Sequence, residues 1–383
     1  MVDADPVRGT EWAAPRVDGV EDPSVKAYTL AFLALRAVNA NPNAAAALYR
    51  RAAEEIKSGA RGSPEDPGPL FARWMLAAVA AKLEYPEAAT LLEDARGETR
   101  KEFGDDPHGM WKAAVGVLAM SSPELAERVA SDLPGRSRMG ALADAVEQIS
   151  RYDVPAARRL FSKIQPPTQE GESHSYGVAA KTLIVAIGKA DPAATLEIAR
   201  EVKSKEQRPL ALALAAQFQE RDLARQLFRE AAEAVSGDAG RIAWFAALAS
   251  ESDPDLSAEL FAAARKALPA GGGNPQFAFY YARVDPAESR LMMEAELSRR
   301  RQQGGEHGHF FSLVSPTLAM AAVDVDRALV LARSIPAGGS DGHFDAQRKI
   351  AQYVLATDAV RRTMLFDRWA ASDTWRPGTP TGW

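Results

Sequence analysis

Asp253–Leu268 reads DPDLSAELFAAARKAL, and the same phrase opens Asp191–Val202 (DPAATLEIAREV) and Asp285–Leu297 (DPAESRLMMEAEL). Each copy begins with a carboxylate that can accept the free N–H groups of a helix's first turn. Proline follows, where it has no intrahelical hydrogen bond to lose. Apolar residues then recur at helical spacing, as at Leu196 and Ile198 or Leu260 and Phe261. Looser copies start at Asp222 (DLARQLFREAAEAV) and Asp324 (DVDRALVLARSI), and fainter ones at Pro42, Pro86, Pro123 and Pro155. With Pro or its equivalent as the mark, positions 42, 86, 123, 155, 192, 223, 254, 286 and 325 are separated by 44, 37, 32, 37, 31, 31, 32 and 39 residues. A period of roughly 35 residues is that of stacked helical hairpins.

Each unit reads as a helix A followed by a helix B, with B starting at the Asp-Pro phrase. Helix B is one-sided, since Arg200, Glu201, Arg229 and Glu230 fall between its apolar positions. Helix A is more apolar, as in Gly177–Gly188, Pro209–Phe218, Arg241–Ala249 and Gln276–Arg283, and should be the more enclosed layer. The expected fold is all-α: a right-handed superhelical stack of about nine antiparallel helical hairpins, an α-solenoid, over residues 23–366. Residues 1–22 read as a flexible N-terminal extension and residues 367–383 as a Trp/Pro/Gly tail. For that tail, with Trp369, Trp375 and Trp383, three readings stand open: a cap on the last repeat, a dock on another chain, or simple disorder.

Composition narrows the chemistry. The net charge of −5 over 383 residues provides no global basic field, so no nucleic-acid partner is expected. Zero cysteines exclude disulfides, thiolate metal sites and a cysteine nucleophile. No signal peptide is visible in the opening residues and no run approaches a membrane span. A soluble protein without membrane insertion is expected. Its location is open: cytoplasmic is favoured, and export after loss of a leader is the alternative. No P-loop, dinucleotide-binding or nucleophile-elbow motif is present, and no cofactor is expected.

The A–B alternation resembles the tetratricopeptide and HEAT-like α-solenoids over residues 24–366. The likeness concerns architecture. Trp74, Trp111 and Trp244 occur irregularly in the A helices, and the regular Leu-Gly of the tetratricopeptide consensus is missing. The resemblance therefore implies a curved helical surface and transfers no binding residue.

Three sets of residues are candidates for a site. Aromatics gather in the A helices, and an aromatic ladder on a concave face would suit a peptide or partner helix. Tyr280, Tyr281, Arg283 and Trp244 are its foremost members, although most such rings should pack between helices. Arg299, Arg300 and Arg301 end one B helix, where cations oppose the negative end of the dipole or meet an acidic partner. His307, His309 and His343, with Glu306 and Asp341, lie in connecting segments of equal register, and side chains of this kind can hold a Zn²⁺- or Ni²⁺-like ion. The plainer reading of these histidines is that of exposed helix starts. The function expected from the whole is a non-enzymatic scaffold that presents a helical-repeat surface to a protein or peptide. The alternatives are a glycan-acting enzyme on a helical superhelix and a metal- or ligand-binding module at the histidine edge. Oligomeric state is not legible.

Overall fold

The structure is a computed structural model and describes residues 6–57, 68–104, 109–150, 152–164, 173–269, 274–303, 309–335 and Ile350. The expected C-terminal tail lies outside these residues. No strand occurs among the described residues. The chain divides into two compact units between Gln207 and Arg208, a boundary that the sequence period does not mark.

The first unit begins with α1 (Pro6–Ala13) and a 3-10 turn (Ala14–Gly19). It continues with α2 (Pro23–Ala37), α3 (Pro42–Lys57), α4 (Gly68–Lys82), α5 (Ala88–Phe103), α6 (Met110–Ala119) and α7 (Pro123–Ser131). α8 (Gly135–Ile149), α9 (Val154–Phe161), α10 (Ser173–Ile187) and α11 (Pro192–Glu201) complete it. The second unit holds α12 (Arg208–Ala216), α13 (Arg221–Ala234), α14 (Ala239–Ala249), α15 (Pro254–Lys266), α16 (Pro275–Tyr281), α17 (Pro286–Gln303), α18 (His309–Met320) and α19 (Val325–Ser334). Within the expected N-terminal extension, α1 and its following turn rest on α2.

Within each unit, every even-numbered helix from α2 onward pairs with the odd-numbered helix after it. It also touches the next even-numbered helix: α2 to α4, α4 to α6, α6 to α8 and α8 to α10, then α12 to α14, α14 to α16 and α16 to α18. Contact on several sides explains the composition. In α12 every residue from Pro209 to Ala216 is buried, whereas α15 buries only Leu256, Ser257, Leu260, Phe261 and Ala264. Alanine suits the enclosed helices because it propagates helix at no side-chain entropy cost and lets axes approach closely.

At Gly177 even alanine is too large. A methyl group on Gly177 of α10 would lie 2.5 Å from Cβ and 2.8 Å from Cγ of Gln207. Cβ is fixed to the backbone, so the clash cannot be relieved by rotating a side chain. Gly177→Ala is therefore expected to destabilise by about 1–3 kcal/mol despite its better helix propensity. Urea unfolding followed by circular dichroism would read this as a lower midpoint; a higher midpoint would show that α10 stands off from Gln207.

The Asp-Pro phrase and its looser copy at Asp324 act as their chemistry demands. Asp191, Asp253 and Asp324 accept the N–H of Ala194, Leu256 and Arg327 at 3.1, 3.2 and 2.8 Å. These carboxylates have a second role. Arginine stands at the fifth position of α9, α13 and α17, and each reaches the cap of the odd-numbered helix that follows: Arg158 to Asp191 at 3.0 Å, Arg225 to Asp253 at 2.9 Å and Arg290 to Asp324 at 3.4 Å. One side chain thereby starts a helix and ties it to its neighbour.

Candidate functional site

The aromatic residues singled out in the second unit are mostly core. Trp244 of α14 is fully buried with its ring 5.4 Å from that of Phe245, and Tyr280 of α16 is 0% exposed, edge-on to Phe279. The surface role expected for Trp244 and Tyr280 is corrected accordingly: even-numbered helices are enclosed by both neighbours, so their large rings fill the layer. Tyr281 is half-buried and stacks on Phe277 at 5.1 Å. The Arg265 guanidinium of α15 lies 4.9 Å over its ring and donates at 2.7 Å both to its hydroxyl and to Glu288 of α17. Tyr281 thus belongs to an inter-helix clamp. Arg283 is exposed, with Nη1 3.4 Å from the Ala247 carbonyl.

Two of the three consecutive arginines are committed locally. Arg299 donates through Nε and Nη2 to both oxygens of Glu296 at 2.8 and 2.6 Å, and Arg300 adds a further contact. Glu296 is 1% exposed. Burial alone would push its carboxyl up, but the hydrogen bonds from Arg299 and Arg300 outweigh it and hold the group below its ordinary value. Arg301 is exposed at the end of α17. Of the metal candidates, His309 is the first residue of α18, while His307, His343, Glu306 and Asp341 lie outside the described residues. Among the described residues no three His, Asp or Glu side chains gather as metal ligands.

Other shifted groups follow the same pattern. Tyr49 and Tyr176 are pushed up by burial and by donating to Glu87 and Glu201 at 3.0 and 2.9 Å. Glu259 is held down by the Arg229 guanidinium of α13. These pairs join one helix to another. An open concavity of about 590 Å³ along α13 is lined by Asp222, Arg225, Gln226, Arg229, Glu230 and Glu233. Its arginines are engaged by Asp253 and Glu259 of the α15 segment, so they are committed to the inter-helix contact.

An exposed apolar stripe lies in the first unit. Val25 and Tyr28 of α2 are exposed, Val25 by 51%, and Phe32 and Arg36 continue the same face with the guanidinium 5.2 Å over the Phe32 ring. Spacings of three, four and four residues place all four on one stripe. The opposite face, with Ala27, Leu30, Ala31 and Ala34, is buried. Arg36 Nη1 donates to the hydroxyl of Tyr152, which follows α8 and is 57% exposed, at 3.3 Å. Asn39 Nδ2 donates to the Met120 carbonyl after α6 at 3.1 Å. The C-terminal ends of α2, α6 and α8 therefore converge, and Tyr152 extends the α2 stripe across that edge. The sequence carried the signal as Val25, Tyr28 and Phe32 at helical spacing, but the join to Tyr152 spans 116 residues and has no local mark. Comparison with protein-family models, curated proteins and solved structures finds no match to this chain.

Proposed function

We propose that the chain is a helical-repeat scaffold, about nine antiparallel hairpins in a right-handed solenoid, that binds a protein or peptide partner along α2. The observation that carries this reading is the partly exposed apolar stripe of Val25, Tyr28 and Phe32, joined through Arg36 to Tyr152. The recurring contact between successive even-numbered helices supports the solenoid. An apolar helix face with an aromatic at its rim suits an amphipathic helix or an extended peptide, because rigid rings bury large area at little entropic cost.

The test is a quantitative pull-down from soluble and envelope fractions with the tagged chain and with a Tyr28→Ser/Tyr152→Ser variant. Both tyrosines are exposed, so the variant should melt as the parent does. A stoichiometric protein retained by the parent and lost by the variant is the expected result. A partner that binds both equally would place the surface elsewhere, and no partner in either fraction would end the scaffold reading.

A further inference from the structure

The two layers of the second unit are held in different ways. Its even-numbered helices meet closely: every residue of α14 except Arg241 is buried, and a methyl group on Gly240 would lie 2.5 Å from Oε1 and 3.0 Å from Cβ of Gln276 in α16. Successive odd-numbered helices of this unit do not approach one another in that way. Leu291 of α17 and Val330 of α19 are 71% and 54% exposed, apolar side chains that a close-packed layer would have enclosed. Charged pairs span these gaps instead. Arg229 of α13 reaches Glu259 of α15 at 2.8 Å, and Arg265 of α15 reaches Glu288 of α17 at 2.7 Å. On its other side α17 meets α19 through Glu294 and Arg327 at 3.0 Å and through Arg290 and Asp324 at 3.4 Å. The first unit has ties of the same kind, Arg96 of α5 to Asp132 at the end of α7 and Arg158 of α9 to Asp191 at the start of α11.

We propose that the odd-numbered layer of the second unit responds to ionic strength: screening the pairs on both sides of α17 lets α15, α17 and α19 move apart, while the even-numbered layer keeps its spacing. The side chains of these pairs are 28 to 53% exposed, so water and salt reach all of them. Screening weakens an exposed pair and leaves buried apolar contact in place. The gap between α13 and α15 should respond least, because the Asp253 side chain that receives Arg221 and Arg225 there is 6% exposed. The inference is independent of the partner surface on α2.

The chain has no cysteine, so spin labels can be confined to introduced ones. Labels at Ala262→Cys of α15 and Val330→Cys of α19, both exposed positions, report the distance across α17. From about 0.01 M to about 1 M sodium chloride the screening length falls from roughly 30 to 3 Å. Over that range the label distance should lengthen by about 2–4 Å, since the spacing of packed helices varies by about 2 Å with the side chains between them. A Glu288→Gln/Arg290→Gln/Glu294→Gln variant uncouples α17 on both sides and keeps the Asp285 and Asp324 caps. It should show the longer distance already at low salt and no further change. Amide exchange of the unlabelled parent identifies the layer: α17 and α19 should exchange faster at high salt, and α14 and α16 at an unchanged rate. A parent distance that does not change with salt, a variant that still responds to it, or an equal response of α14 and α16 overturns the proposal.

Discussion

Trp74→Ala is expected to cost about 3–5 kcal/mol of unfolding free energy, against a typical domain stability of about 5–15 kcal/mol. Trp74 of α4 is completely buried, and its ring meets that of Trp111 of α6 edge-on with centroids 5.8 Å apart. Its indole Nε1 donates at 3.0 Å to Oγ1 of Thr99 in α5, and Thr99 in turn donates to the Ala95 carbonyl at 2.7 Å. One side chain thus holds the next even-numbered helix and its own odd-numbered partner. Truncation opens a void that backbone contact on both sides prevents from closing, and it removes an edge-to-face pair worth about 0.5–1.5 kcal/mol. Thr99 keeps its bond to Ala95, so Trp74→Phe should cost clearly less than Trp74→Ala. Urea unfolding gives the two free energies, and amide exchange across α4 to α6 should quicken most in the alanine variant. A loss below about 1 kcal/mol for Trp74→Ala would mean that the site collapses freely and that the two tryptophans do not fix the helix spacing.

Much of this fold was legible because its signals are local. A carboxylate before proline has one good use at a helix start, and Asp191 and Asp253 serve it. The one-sided character of α15 and the apolar character of α12 followed from residue type and spacing alone. The phrase misleads where its letters allow another register. α13 begins at Arg221 with Glu220 at its cap, so Asp222 lies in the first turn, where a carboxylate still meets the positive end of the dipole. Nor is the phrase peculiar to odd-numbered helices: Asp22-Pro23 starts α2, because capping depends on the helix end and not on its layer.

The binding surface was harder to read for a physical reason. Aromatic residues are equally suited to a core and to an interface, and only enclosure decides between them. Trp244 and Tyr280 lie on helices with neighbours on both sides, so they became core. Tyr28 lies on α2, whose stripe remains partly exposed. Arg265 illustrates the same limit, since its use depends on Tyr281 and Glu288, 16 and 23 residues away.

Asp253 is where cap and inter-helix tie are strongest, and Asp253→Ala should lower the melting temperature by about 5–10 °C. Oδ1 accepts the Leu256 N–H and Arg225 Nη2, while Oδ2 accepts Arg221 Nε at 3.2 Å and Arg225 Nε. Asp191 makes the same two kinds of contact, but its pair with Arg158 is exposed on both sides, so Asp191→Ala should cost less. Asp253→Asn separates the two roles. Asparagine caps a helix as well as aspartate does, so this variant should lose only the ionic part and melt between the parent and Asp253→Ala. Acidity gives the second readout. Hydrogen bonds from Arg225 and then Arg221 hold the Asp253 carboxyl well below the usual carboxylate range, with the Leu256 N–H aiding and desolvation opposing. A carboxyl depressed in the folded state contributes its stability above the unfolded value of about 3.9 and loses it as pH falls toward the folded one. The stability difference between parent and Asp253→Asn should therefore be flat from about pH 7 to 5 and shrink below about pH 4. Equal melting of the parent and Asp253→Asn at neutral pH would show that Arg221 and Arg225 add nothing to the cap, and that the helices are held together by their apolar contacts alone.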